Sequence, residues 1–253
     1  MDNCLFCEDI HWSVMASSSR ENTADINVWE INLKDQANHK HQLEKFLSDE
    51  EQQHAARFRQ DKDKDQFIVT RAYLKLLLAD EHHVSPEKIN IVAGINGKPY
   101  LKNYTGIQFN VSHTHERAVI ALSKLRIGID LEFINPAFDY PSVAEFACSE
   151  AELKLLRETE DPRTDFFRLW TRKESFLKGL GTGLVNDLKT ISCAQDINVI
   201  PSDLQGVLSS WKIITTMLPG NYIMSVAHDY FSSPVTVRLL PLSKGIHHTL
   251  IDH

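Results

Sequence analysis

The sequence lacks any apolar run approaching the about 20 residues that a membrane-spanning helix needs. It also lacks the basic start and apolar block of a secretory signal, because it begins with the acidic segment MDNCLFCEDIHW. These two absences predict a cytoplasmic protein.

Cysteine and positive charge are both scarce. Four cysteines in 253 residues are too few for a disulfide framework. Cys4 and Cys7 form one CxxC with His11 nearby, but a structural zinc site normally has a second ligand pair, so an unstructured tail is favoured. The net charge of −7 argues against general nucleic-acid binding, although it leaves room for a local phosphate site.

What is present is an ordinary globular composition, with 42% hydrophobic and 24% charged residues. The chain can therefore build a sizeable core in one or two domains. Residues 1–24 are polar and Ser-rich, and we predict a disordered tail there. Residues 25–124 and 125–253 each offer a helical stretch followed by several strands, which indicates two similar halves.

Hydrophobic periodicity predicts clustered rather than alternating elements, so the fold class is α+β, with a helix on a small antiparallel sheet in each half. Ser48 with Glu51, and Ser149 with Glu152, form capping boxes. Helices are predicted at 37–47, 49–59 and 64–82 and from Asp161-Pro162 to about 178. Strands are predicted at 26–33, 89–93, 107–111, 117–123, 127–133, 188–194, 211–217, 221–228 and 235–240.

The segment IGIDLEF, residues 127–133, carries two acids on one face of a predicted strand. Asp130 and Glu132 project together because side chains alternate along a strand. A magnesium ion between them would offset their repulsion, since it prefers hard oxygen ligands. Taken alone, the segment is better explained by a solvated strand face with two unrelated acids.

In the segment FFRLWTRKESFLKGLGTGL, residues 166–184, the predicted helix places Trp170, Glu174 and Lys178 along one stripe, four residues apart. An acid and a cation on one face suit a metal–phosphate complex, with Glu174 as ligand or base and Lys178 as phosphate partner. An exposed Glu–Lys pair beside a buried tryptophan is the simpler alternative. The glycines of GLGTGL follow a helix rather than a strand, so Gly179 is predicted as a helix C-cap and not as part of a nucleotide motif.

A third segment, residues 96–123, contains GKPY and FNVSHT. Ser112 and His113 are predicted where a strand enters a loop. Adjacent residues on an extended chain point apart, so a nucleophilic Ser–His pair is disfavoured. Anion binding by Lys98, Ser112 and His113 is the functional interpretation, and a turn with a satisfied histidine is the alternative.

Together, GKPYL with FNVSHT, IGIDLE and LWTRKESFLKGLGTGL closely resemble the motifs of the Sfp-type 4′-phosphopantetheinyl transferases. The resemblance extends from about residue 48 to 190, and FACSE at 146–150 also has a counterpart. It implies transfer of the phosphopantetheine arm of coenzyme A to a serine of an apo carrier protein, with release of adenosine 3′,5′-bisphosphate. It also implies two α+β halves related by a pseudo-two-fold axis, with the active site and its coenzyme A in the cleft between them.

The resemblance assigns roles to nine residues. As metal ligands it implies Asp130, Glu132 and Glu174, for magnesium or for manganese in its place. Glu174 is also the implied base, and Lys178 the lysine that faces the pyrophosphate. The implied coenzyme A contacts are Lys98, Ser112, His113, Lys178, Arg57 and Arg71. Glu51 and His54 stand where the family often has basic residues, which puts the contacts to the 3′-phosphate in question.

The implied partners are acyl or peptidyl carrier proteins of fatty-acid, polyketide or nonribosomal peptide synthesis, and the implied state is a monomer. Nucleic acid and membranes are not expected partners. Two other functions remain open at this point. One is a metal-dependent coenzyme A pyrophosphohydrolase, and the other is a non-catalytic coenzyme A-binding module.

Overall fold

The computed structural model describes residues 13–14, 25–94, 96–183, 188–194, 197–199, 210–229 and 235–242. Its strands are β1 (Ser13–Val14), β2 (Ile26–Asn32), β3 (Ile91–Ala93), β4 (Pro99–Leu101), β5 (Gln108–Thr114), β6 (Arg117–Ser123), β7 (Ile127–Phe133), β8 (Ile197–Val199), β9 (Ser210–Leu218), β10 (Tyr222–Asp229) and β11 (Val237–Pro241). Its α-helices are α1 (Leu33–Gln36), α2 (Lys40–Leu43), α3 (Asp49–Ala55), α4 (Asp61–His82), α5 (Tyr140–Ala147), α6 (Glu150–Glu158) and α7 (Pro162–Leu180). Short 3₁₀ turns occupy Ala37–His39, Glu44–Phe46, Pro86–Lys88 and Leu188–Thr190.

The first layer is a five-stranded sheet with α4 on its outer face. The strand order is β1-β11-β2-β6-β5, and the two-stranded pair β3-β4 lies apart. Strand β6 is antiparallel to β2 and β5. Buried side chains of α4, including Tyr73 and Leu78, form one core with Ile31 of β2 and Ile120 of β6. Ordinary apolar side chains thus set the distance between this helix and its sheet.

The second layer is a four-stranded antiparallel sheet with α7 on its outer face. The strand order is β7-β10-β9-β8. Phe176 and Leu177 of α7 pack with Trp211 and Ile213 of β9. The inner faces of the two sheets pack together, since Val119 of β6 shares a third core with strands β7, β9 and β10. The order of layers is helix, sheet, sheet, helix.

The α+β class is confirmed, and both capping boxes form as predicted. The strands at 117–123 and 127–133 match their predicted bounds. One feature breaks the division at residue 125: β11 comes from the C-terminal part of the chain but pairs in parallel with β2. The first sheet is therefore mixed rather than purely antiparallel. Ser13 and Val14, predicted to lie in a disordered tail, form a short strand beside β11.

Several elements differ from prediction. The helix predicted at 37–47 is a series of short turns, and α3 ends at Ala55 rather than at residue 59. The strand predicted at 188–194 is wrong, because the carbonyl oxygens of Leu188 and Ile191 accept hydrogen bonds from Lys173 instead of from a neighbouring strand. Helix α5 and strand β4 were not predicted. In the described part of the chain, no helix has both the length and the apolarity to span a bilayer, and Cys4, Cys7 and His11 lie outside it.

Candidate active site

Two glycines let α7 approach β7 at backbone contact. A Cβ on Gly128 would lie 2.0 Å from the Ser175 carbonyl oxygen and 2.3 Å from the Gly179 nitrogen. A Cβ on Gly179 would lie 2.5 Å from the indole of Trp211. The prediction of Gly179 as the helix C-cap is therefore wrong, since Gly181, at φ 75°, ends the helix and Gly179 is inside it. The small residues place the acids of β7 directly against α7.

Asp130 is the most deeply buried of the three predicted acids, at 4% exposure. Its Oδ1 atom accepts hydrogen bonds from Lys178 Nζ at 2.6 Å and from Ser112 Oγ at 3.0 Å. Its Oδ2 atom is buried and has no hydrogen-bond partner among the described residues. A buried carboxylate oxygen without a partner is costly, so this atom has capacity for a further cation or donor.

Burial and the charge of Asp130 raise the pKa of both Glu132 and Glu174. Burial, and next the Asp130 charge, raise the pKa of Glu132 to about 7, against hydrogen bonds from Thr114 and Trp170. Burial and then the Asp130 charge also raise the pKa of Glu174, while Lys178 acts in the opposite direction. Asp130 is therefore close enough to each of the two glutamates to repel its charged form.

The donor set suits a hard divalent cation, although its present arrangement is not a finished metal site. In the described residues no group of three or more His, Cys, Asp and Glu side chains is placed to hold a metal ion. Lys178 supplies the cation that Asp130 contacts. The unpartnered Oδ2 of Asp130 and the raised pKa values of Glu132 and Glu174 nevertheless fit oxygen ligands for magnesium.

Side chains of the N-terminal half bind the edge of β7 that does not pair with β10. Lys98 Nζ donates to the carbonyl oxygens of Ile127 at 3.1 Å and Gly179 at 2.9 Å. The Ile129 N–H donates to Asn110 Oδ1 at 2.8 Å, and the Leu131 N–H donates to Ser112 Oγ at 3.2 Å. These bonds join the two layers across the seam between β5 and β7.

Two residues predicted to contact phosphate, Ser112 and Lys98, are bound within the protein. Ser112 is 5% exposed and lies within β5, not where a strand enters a loop. Burial, and then Arg126, lower the pKa of Lys98 to about 8. Both side chains are engaged with β7, so a phosphate would have to share them with the protein.

A cavity of about 300 Å³ lies beside α4 in the first layer. His113 lines it, and its Nδ1 forms a 2.5 Å hydrogen bond with Gln66 Nε2. Arg71 lines it too, with its guanidinium 3.6 Å from Glu51 and its charge over the ring of Phe67. Arg57 is exposed and does not line this cavity.

A second cavity, of about 250 Å³, is lined by Lys98, Glu174 and Lys178. Pro99 and Val111 line both cavities, so the two are adjacent parts of one groove. The groove leads from Arg71 and His113 in the first layer to the acids at the seam. Each predicted site residue except Arg57 therefore lies in the groove or at its acidic end.

Sequence reasoning missed Asn110 and Thr114. Both lie in the segment FNVSHT, at alternate positions with Ser112, so all three side chains point from β5 toward β7. The alternation of side chains along β5 could have indicated that these three residues share a face. It could not indicate what that face contacts, because β5 and β7 belong to different sheets.

Comparison with known proteins follows the same division into two parts. Residues 126–227 match the model of the 4′-phosphopantetheinyl transferase superfamily, and residues 29–125 match that of the 4′-phosphopantetheinyl transferase N-terminal region. A holo-[acyl-carrier-protein] synthase structure from Thermotoga maritima shares 18% identity, covers 42% of this chain and 62% of its own, and gives a TM-score of 0.28, too low to support a shared architecture.

Three curated relatives are named as phosphopantetheinyl transferases. The 4′-phosphopantetheinyl transferase HetI of Nostoc sp. is 31% identical over 209 residues, covering 80% of this chain and 87% of HetI. The transferase Sfp of Bacillus subtilis is 28% identical over 198 residues, covering 76% of this chain and 87% of Sfp. The L-aminoadipate-semialdehyde dehydrogenase-phosphopantetheinyl transferase of Rattus norvegicus is 25% identical over 182 residues, covering 66% and 58%. With its two halves matching two parts of one enzyme family and HetI matching most of its length, the chain belongs to the 4′-phosphopantetheinyl transferase superfamily.

Proposed function

We propose that this protein transfers the 4′-phosphopantetheine arm of coenzyme A to a serine hydroxyl of an apo acyl or peptidyl carrier protein. Adenosine 3′,5′-bisphosphate is the second product. The observation that carries the proposal is the convergence of Asp130, Glu132, Glu174 and Lys178 at the end of a groove lined by both layers. The enzyme would be of the Sfp type, a monomeric holo-[acyl-carrier-protein] synthase with both halves in one chain.

The groove has the polarity that coenzyme A requires. Its far end carries Arg71 and His113, which suit the phosphorylated adenosine part of the molecule. Its near end carries Lys98 and Lys178, which suit the pyrophosphate. The pantetheine arm would extend past the acids toward the docked carrier.

The reaction forms one bond and breaks one. The serine oxygen attacks the phosphorus that bears the pantetheine arm, and the anhydride bond to the adenosine-linked phosphate breaks. Serine is a weak nucleophile at neutral pH, so a base must receive its proton. Glu174 has the required position at the groove, and its raised pKa makes its carboxylate a better proton acceptor.

Charge that develops on the departing phosphate oxygen needs a cation. Lys178 can supply one from the ammonium group that contacts Asp130 at 2.6 Å. Asp130, Glu132 and Glu174 would hold magnesium, or manganese in its place, and the metal would supply further stabilisation of charge on the pyrophosphate oxygens.

The deciding experiment incubates the protein with coenzyme A, magnesium and each of several apo carrier proteins, followed by intact-mass analysis of the carrier and quantification of adenosine 3′,5′-bisphosphate. We expect both products only when the carrier is present and retains its serine. A carrier with that serine replaced by alanine is the matched control, and chelation of magnesium should stop the reaction.

The alternatives give different results in the same assay. A pyrophosphohydrolase would cleave coenzyme A without any carrier. A binding module would retain coenzyme A without turnover. Either result would refute the transferase proposal, and so would the finding that none of the carriers offered is modified.

A further inference from the structure

Strand β7 carries Asp130 and Glu132, yet it is the end strand of its sheet. It pairs with β10 on one side only. The backbone groups on its other side must find partners, because an unpaired buried N–H or C=O destabilises the fold. The way they are paired determines how firmly the acids are placed.

Three side chains of the N-terminal half serve this edge in place of a strand. They contact alternate residues of β7: Lys98 binds the carbonyl oxygen of Ile127, Asn110 the N–H of Ile129, and Ser112 the N–H of Leu131. Asn110 and Ser112 are two residues apart in β5, which matches the spacing of Ile129 and Leu131 in β7 because both strands alternate with period two.

Asn110 differs from the other two because its side chain forms no second hydrogen bond within the described part of the chain. Ser112 also donates to the carboxylate of Asp130, and Lys98 also binds α7 at Gly179. The hydrogen bond of Asn110 is the shortest of the three edge contacts, at 2.8 Å, and its side chain is 5% exposed. Asn110 also lines the cavity that contains Glu174 and Lys178.

We propose that Asn110 is a positioning residue that fixes Asp130 for transfer by holding the backbone of β7 at Ile129. The inference rests on the proposed transferase function. Ile129 and Leu131 flank Asp130, so their two bonds to β5 hold the carboxylate against Ser112 and Lys178. Loss of the Ile129 contact frees this edge to move away from the first layer, where the coenzyme A groove begins.

The test compares Asn110→Ala with Ser123→Ala. Ser123 is a matched control because it is also 5% exposed, lies in the same sheet, and accepts a backbone N–H, that of Leu125, at 3.0 Å. It lies outside the groove. Both variants lose the side-chain acceptor of a backbone N–H, and Ser123→Ala also loses the hydroxyl that donates to the Asp25 carbonyl oxygen at 2.6 Å. A purely structural role therefore predicts at least as large an effect in Ser123→Ala.

Two measurements separate the variants. Hydrogen exchange followed by NMR should show the Ile129 amide exchanging at least about tenfold faster in Asn110→Ala and unchanged in Ser123→Ala. Steady-state kinetics should show kcat lowered by about 10- to 100-fold in Asn110→Ala, with KM for coenzyme A within about twofold of wild type. Ser123→Ala should leave both constants within about twofold.

Equal kcat values in the two variants, or a protected Ile129 amide in Asn110→Ala, would overturn the inference. If Asn110→Ala does not fold, Asn110→Asp replaces it, since it keeps an acceptor oxygen at the same reach. The Ile129 amide should then stay protected, and its loss of protection would count against the role assigned to Asn110. If wild-type protein modifies no carrier, the transferase proposal fails, while the exchange of the Ile129 amide still decides whether Asn110 holds β7.

Discussion

Each half of the molecule buries a lysine of its long helix against the glutamate of a capping box. In the second half, Lys173 of α7 lies 2.8 Å from Glu152, and both side chains are at most 1% exposed. In the first half, Lys75 of α4 lies 3.3 Å from Glu51, which is 13% exposed. The repeated device supports two related halves, although the two copies are used differently.

The pair in the second half, Lys173 with Glu152, is fully buried and its charged groups have further hydrogen-bond partners. Lys173 also donates to three carbonyl oxygens, those of Ala147, Leu188 and Ile191, and Glu152 accepts from the Cys193 N–H. In the first half Glu51 serves two cations, because Arg71 also approaches it at 3.6 Å. One carboxylate facing two cations leaves positive charge beside the cavity that Arg71 lines. One copy therefore holds α7 in place with a fully balanced ion pair, whereas the other leaves positive charge beside a cavity.

The largest expected effect comes from the residue that follows Lys173 on α7. Glu174→Gln should lower transfer by about 10²- to 10⁴-fold, the usual contribution of a positioned base, while coenzyme A still binds. Intact-mass assay of the carrier and calorimetry with coenzyme A would measure the two quantities. Glu158→Gln on the surface of α6, where the side chain is 66% exposed, is the control and should be silent. Undiminished transfer by Glu174→Gln would remove Glu174 from its role.

Removing Lys173 tests whether its buried ion pair with Glu152 stabilises the fold. Lys173→Met leaves the Glu152 carboxylate buried without its cation, so we expect a loss of about 3–5 kcal/mol in the free energy of unfolding. Urea denaturation followed by circular dichroism would measure it. Lys154→Met, at a lysine whose side chain is 72% exposed, should change stability by less than about 0.5 kcal/mol. A loss no larger than that of the control would show that Lys173 is not essential to the fold.

A methyl group between β7 and α7 tests how the acids are brought together. Gly128→Ala should cost about 1–3 kcal/mol, because the new Cβ would meet the Ser175 carbonyl oxygen at 2.0 Å and force the two elements apart. Transfer by the folded protein should fall as well. Ile120→Val, in the core under α4, should cost about 0.5–1.5 kcal/mol without changing kcat. Equal kcat in the two variants would show that the close approach is not needed for activity.

Local signals in the sequence predicted much of this fold. The capping boxes at Ser48 and Ser149 and the alternation of IGIDLEF depend on residues close in the chain, so they could be recognised directly. Strand β11 could not be assigned to the first sheet, because its partner β2 is far away in the chain and no local pattern shows which strand it pairs with. The segment 188–194 was predicted as a strand, but the carbonyl oxygens of Leu188 and Ile191 accept hydrogen bonds from Lys173, and only the tertiary packing reveals this.

The candidate site shows the same limit. The spacing of Asp130 with Glu132, and of Glu174 with Lys178, indicated which side chains share a face, and the structure brings Lys178 to Asp130. The sequence did not indicate that Lys98 and Ser112 bind the edge of β7, nor that Asn110 does so beside them. Those contacts arise where two sheets meet, and no periodicity within one strand encodes them.

The smallest expected effect completes the comparison of the two buried lysines. Lys75→Met removes one of the two cations on Glu51 but leaves Arg71 to balance the carboxylate, so stability should fall by only about 1 kcal/mol, well below the loss in Lys173→Met. The same change removes positive charge beside the first-layer cavity, so KM for coenzyme A should rise while kcat holds. Urea denaturation and steady-state kinetics would measure both. Equal stability losses in Lys75→Met and Lys173→Met would show that the two pairs are energetically alike, and an unchanged KM would show that Glu51 and its cations do not favour the anionic ligand.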